Sequence, residues 1–248
     1  MATDDALHAA LWALAGGSAL FIGAIVAMIV TLPERLIGML LGFAAGVLIS
    51  TVSVDLAVEA IEDGGPITLA FGIAAGSLAF FGGAWLIDRA GGGARLCTTV
   101  ERDDRNASTI VFGSVLDGVP ESLAIGVSLL AGGMVGLPLV AAVFLSNLPE
   151  SIAATTSMRK AKHSMAYVLG SWASVVLASS VAAALGYIVV GTAFPEVIGL
   201  VQAFAAGAIL TMVAHTVLPE AFDHGGRATS LFSTLGFAGT FILSAVMN

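Results

Sequence analysis

The chain has 248 residues, 58% of them hydrophobic and only 10% charged, and its mean hydropathy is +1.00. That balance excludes an ordinary water-soluble domain, and a formal net charge of −8 excludes a nucleic-acid binder that works through a basic face. Because the apolar runs are built of Ala, Leu, Val and Gly without alternation of polar and apolar residues, a transmembrane barrel is excluded as well.

A helix that spans a bilayer needs about 20 mainly apolar residues. Eight such runs are found, at 8–31, 36–60, 67–88, 109–131, 136–157, 164–190, 196–221 and 228–247. The expected fold is an all-α, multi-pass protein of the cell membrane, a single transmembrane domain with the lipid bilayer as its surroundings. The first run has no basic flank and follows Asp4 and Asp5, so it reads as a span and not as a cleavable signal peptide. Span 2 ends in acids: Asp55, then Glu59 one turn later, then Glu62 and Asp63. These read equally as a cation intake path or as a helix end reaching into water. Residues 89–108 hold Gly91-Gly92-Gly93 and a mixed-charge run from Glu101 to Arg105, so they are expected to form a flexible cytoplasmic loop. Cys97, the single cysteine, lies there and can form no internal disulfide.

Span 4 carries Asp117 and Glu121, and span 5 carries Ser146, Asn147 and Glu150. A charged group at the bilayer centre costs at least about 2.5–3.5 kcal/mol, so each needs a reason to be there. Asp117 and Glu121 stand four apart on one helical face and repel unless a proton or cation lies between them. Ser146, Asn147 and Glu150 repeat that geometry with three oxygen donors. The sequence around the acids is itself duplicated: Pro120-Glu121-Ser122-Leu123-Ala124 returns as Pro149-Glu150-Ser151-Ile152-Ala153, and a weaker copy, Leu218-Pro219-Glu220-Ala221, closes span 7. Proline-broken helices mark substrate sites in many transporters. His215, on the same helix as Glu220, completes a candidate ligand set of Asp117, Glu121, Ser146, Asn147, Glu150 and His215. It reads about equally as a hydrogen-bonding membrane histidine. Glu220 and His224 extend the set towards the far end of span 7, with a solvated loop histidine as the competing reading for His224.

The nine basic residues fix an orientation, because Lys and Arg near span ends favour the cytoplasm. Arg35 falls between spans 1 and 2, Arg89, Arg95, Arg102 and Arg105 between 3 and 4, Arg159, Lys160 and Lys162 between 5 and 6, and Arg227 between 7 and 8. All share one side, which places both termini on the extracytoplasmic face. It also leaves no base inside the spans to neutralise the acids. The compensating cation must come from solution, as a proton bound by a carboxylate or as a metal ion.

At these residues the sequence resembles the ZIP family of divalent-metal transporters, over nearly the whole chain. The family's mark is His-Asn-x-Pro-Glu-Gly in span 4 with a related stretch in span 5. Here these read Asp117-Gly118-Val119-Pro120-Glu121-Ser122, continuing Leu123-Ala124-Ile125-Gly126, and Ser146-Asn147-Leu148-Pro149-Glu150-Ser151. The stretch Ala205-Ala206-Gly207-Ala208 through His215-Thr216-Val217-Leu218-Pro219-Glu220 is similar to the family as well. The resemblance implies a metal site halfway across the membrane, often binuclear, with Glu121, Asn147 and Glu150 as ligands and Asp117 where the family usually has histidine. It implies transport of zinc by family frequency. The chain departs from the pattern at Gly118, where asparagine is usual, at Ser179 and Ser180, where many members have a glutamate, and at Thr216, where a glutamate is common. The oxygen ligands that remain favour harder or less selective binding of manganese, iron or cadmium.

Three other readings compete. A membrane metalloenzyme needs a third strong ligand and a general base. A non-transporting sensor or structural subunit fits the missing histidines. A proton or sodium carrier needs no divalent ion. The small-residue faces suit a homodimer as well as packing within one copy.

Overall fold

The computed structural model describes residues 2–87, 89, 107–130, 136–191 and 193–247, and every regular element among them is helical. The helices are α1 (Ala2–Ile29), α2 (Glu34–Thr51), α3 (Ala57–Ile87), α4 (Ala107–Ser128), α5 (Leu137–Lys160), α6 (Met165–Val190), α7 (Pro195–Met212), α8 (Leu218–Gly225) and α9 (Ala228–Met247). Most of the expected 89–108 loop, with Arg95, Cys97, Arg102 and Arg105, lies outside the described residues; Ala107 and Ser108 already belong to α4. α1 begins well before residue 8, taking Asp4 and Asp5 into its first turn, where acids suit the positive end of the helix dipole.

Six helical stretches among the described residues are long and apolar enough to cross a membrane: Asp4–Ile29, Glu34–Ile87, Leu137–Lys160, Met165–Val190, Pro195–Gly225 and Ala228–Met247. The 54-residue stretch is not one rod. α2 runs through a π turn, Val52–Leu56, into α3, and α3 breaks at Gly65, whose φ of 78° and ψ of 174° only glycine accepts without strain. Pro66 follows and cannot donate to the preceding turn, so the break is fixed in sequence. α4, 22 residues long, stands outside those six and carries Asp117 and Glu121 near its middle.

The helices form two groups. α1, α4, α5 and α6 pack together, as do α2, α3, α7, α8 and α9; the main seams between the groups are α2 against α5 and α4 against α7. Glycines set the closeness of packing inside each group. A Cβ on Gly23 would lie 1.9 Å from Ser151 Oγ across α1 and α5, and one on Gly126 would lie 2.2 Å from the Ala183 carbonyl across α4 and α6. In the other group, a Cβ on Gly46 would meet the Ser233 carbonyl at 1.9 Å, and one on Gly76 the Phe204 carbonyl at 1.9 Å. Helix backbones thus touch within groups, through the small faces the sequence suggested.

The second group is an internal repeat. Starting from Phe43-Ala44-Ala45-Gly46 and Phe204-Ala205-Ala206-Gly207, one constant spacing also pairs Ile37 with Ile198, Gly38 with Gly199, Val52 with Val213, Glu59 with Glu220, Ala60 with Ala221, Gly64 with Gly225 and Gly65 with Gly226. The structures match at the same spacing. The π turn Val52–Leu56 has its counterpart in Val213–Val217, and the positive-φ Gly65 in the positive-φ Gly226. The two copies interlock: Gly38 lies against Ala221 and Gly225, and Gly199 lies against the equivalent Ala60 and Gly64.

Candidate functional site

Asp117 and Glu121 of α4 and Asn147 and Glu150 of α5 line one small cavity in the first helix group. Ser114, Gly118 and Ser122 of α4, Gly17 of α1, and Trp172 and Ser179 of α6 also line it, with apolar side chains of α1, α5 and α6. The local sequence explains the convergence. Asp117 and Glu121 are one turn apart, Asn147 and Glu150 three residues apart, so each pair shares a helix face. Pro120 and Pro149 interrupt the two helices beside the acids, and a missing N–H leaves the carbonyl four residues earlier without its usual donor.

The cavity measures about 20 Å³, room for one or two water-sized bodies. Glu121 is only 2% exposed, and among the described residues neither its Oε1 nor Glu150 Oε1 has a hydrogen-bond partner. Asn147 Nδ2 faces the Gly16 carbonyl at 3.5 Å, which leaves its oxygen as an acceptor. Glu150 lies in the repulsive field of Glu121, Asp117 and Glu220. No Lys, Arg or His is among the described lining residues. An enclosed set of carboxylate, amide and hydroxyl oxygens without a base fits a hard or borderline cation. The side chains stand apart: among the described residues no group of three or more His, Cys, Asp or Glu is close enough to grip an ion together.

The other candidates lie elsewhere. Ser146 is fully buried and donates to the Val143 carbonyl at 3.1 Å, outside the cavity lining. His215 is exposed on the second π turn, with its ring 6.4 Å from that of Phe81, and does not line the cavity. Glu220 is buried, and its carbonyl stands 2.9 Å from His224 Nδ1. Asp55 and Glu59 lie in the repeat group. Ser244 Oγ donates to Asp55 Oδ1 at 2.5 Å, and Gln202 Nε2 donates to Glu59 Oε2 at 2.5 Å.

Sequence reasoning passed over Ser114, Gln202 and Ser244, and gave Trp172 no role. Gln202 had a usable signal, since an amide in an apolar span needs a partner. Trp172 is held by its Nε1, which donates to Thr155 Oγ1 at 2.9 Å, so the ring forms a fixed side of the cavity.

No family model matches the sequence. Over 243 residues, 96% of its length, the chain is 28% identical to a provisionally named zinc transporter of Arabidopsis thaliana, and it spans 39% of that protein.

Proposed function

We propose that this chain is a membrane carrier for divalent metal ions, of the ZIP type, with Asp117, Glu121, Asn147 and Glu150 holding the ion in transit. The observation that carries the reading is the convergence of three carboxylates and an amide on one small cavity with no base among its described lining residues. The similarity to a provisionally named zinc transporter favours zinc as cargo, while the all-oxygen lining favours tolerance of manganese, iron or cadmium.

The carrier reading takes the break at Gly65 and the acid-bearing α4 together with the apolar stretches, giving eight spans in the plasma membrane. The one-sided basic residues support both termini on the extracytoplasmic face. The repulsion between Glu150 and Glu220, with His224 beside the Glu220 carbonyl, supports an outlet from the cavity towards the basic face. Close backbone packing inside each helix group favours motion of one group against the other, as alternating access requires.

Uptake into liposomes tests this. The reconstituted protein is expected to admit zinc, manganese, iron or cadmium, and Glu121→Ala and Glu150→Ala, verified as folded, are expected to fall to the rate of protein-free liposomes. Wild-type uptake of no divalent ion would overturn the carrier reading and leave a sensor.

A further inference from the structure

The second polar cluster, in the repeat group, is built differently from the cavity. Asp55 lies on the π turn, Glu59 on α3, Gln202 on α7 and Ser244 on α9, so four separate elements meet there. One oxygen of each carboxylate is anchored, Asp55 Oδ1 by the Ser244 hydroxyl and Glu59 Oε2 by the Gln202 amide. The remaining oxygens are unanswered: among the described residues Asp55 Oδ2 and Gln202 Oε1 are buried without a hydrogen-bond partner, on side chains that are 7% and 0% exposed. Both are acceptors, so neither satisfies the other. The two carboxylates repel, and Glu62 and Asp63 add to the negative field at Glu59.

The repeat shows that packing does not require these groups. The repeat creates a second, equivalent place, where Asp55 is replaced by Thr216 of the second copy, Gln202 by Leu41 and Ser244 by Gly83 of the first, while Glu59 keeps its counterpart, Glu220. The same interlock of matching π turns and glycine contacts therefore forms at two equivalent places, at one with this polarity and at the other largely without it. Burying unsatisfied oxygens costs free energy with no structural return, so the additions at one of the two places point to a ligand.

We propose that Asp55, Glu59, Gln202 and Ser244 form a resident site for one hard divalent cation, separate from the cavity of Asp117, Glu121 and Glu150. The ion meets Asp55 Oδ2, Gln202 Oε1 and a Glu59 carboxylate oxygen, and Ser244 orients Asp55 without touching the ion. All ligands are oxygen and two are charged, which suits manganese or calcium better than a metal that seeks nitrogen or sulfur. The site stands on these residues alone and does not depend on the carrier reading.

The test is manganese binding to the purified full chain at neutral pH, with free ion followed by electron paramagnetic resonance. Wild type is expected to show a binding component that persists when Glu121 and Glu150 are both changed to Gln. Asp55→Asn keeps the acceptor for Ser244 and is expected to weaken that component by about ten-fold or more, because ligand charge sets affinity in oxygen sites. Gln202→Leu installs the residue that the first copy carries at the equivalent position, Leu41, so it is expected to fold and to weaken the same component. If both variants bind manganese as wild type does, or if no component outlives loss of Glu121 and Glu150, the two carboxylates share a proton instead and the proposal is overturned. Liposome uptake fails or succeeds separately, since it reads the cavity.

Discussion

The two helix groups hold their buried carboxylates differently. In the repeat group Asp55 and Glu59 each have an oxygen fixed by a donor from another helix. In the cavity group Glu121 and Glu150 each present a buried oxygen that no donor meets. An anchored carboxylate holds a pre-set geometry, whereas an unanchored one can close on an ion and open again. The difference teaches where exchange belongs: the cavity is suited to an ion in passage, and the repeat group to a fixed frame.

The comparison breaks most decisively at Glu150. Glu150→Gln keeps the shape and removes the charge, and metal uptake is expected to be lost while the thermal unfolding midpoint in detergent changes little; a large drop in midpoint with uptake retained would make Glu150 structural. The next largest effect is expected from the frame. Gly46→Ala and Gly76→Ala each drive a methyl group to 1.9 Å from a carbonyl of the neighbouring helix, and each is expected to cost about 1–3 kcal/mol. Gly239→Ala meets nothing within 4 Å and serves as the neutral control in the same melting experiment.

Asp117→His sharpens the comparison by changing cargo instead of stability. An imidazole in place of a carboxylate is expected to move the uptake preference from manganese towards zinc, read as the ratio of the two rates. Trp172→Phe removes the donor to Thr155 Oγ1, a fully buried hydroxyl, and is expected to cost about 1 kcal/mol with the cavity lining otherwise kept. The smallest effect is expected at the surface. Lys160 meets Glu34 at 2.5 Å with both side chains about half exposed, so Lys160→Met is expected to change stability by no more than about 1 kcal/mol.

Much of this was legible in the chain. The apolar runs, the break around Gly64-Gly65-Pro66 and the duplicated Pro-Glu all have strong local signals, and helical spacing put Asp117 with Glu121, and Asn147 with Glu150, on a shared face of their helices. His215 shows why the rest was not. It entered the ligand set because it shares a helix with Glu220, but the π turn Val213–Val217 inserts a residue there, and one residue is about 100° of rotation. The ring faces outward, near Phe81. Gln202 and Ser244 were hidden for a different reason: their partners Glu59 and Asp55 lie 143 and 189 positions away, and no periodic pattern reports a contact of that range. The long repeat escaped notice because its identities are scattered between the short Phe-Ala-Ala-Gly match and the terminal Gly-Gly, and only the matching π turns and close glycine contacts tie them together.

The most direct test of the central claim, that the carboxylate cavity takes the metal ion, is zinc X-ray absorption spectroscopy on Asp55→Asn protein loaded with one equivalent of zinc. The cavity account predicts a shell of oxygen atoms at about 2.0–2.2 Å without imidazole scattering, a shell that disappears from the same protein carrying Glu150→Ala. Imidazole scattering, or a shell unchanged by Glu150→Ala, would place the metal elsewhere and contradict the account.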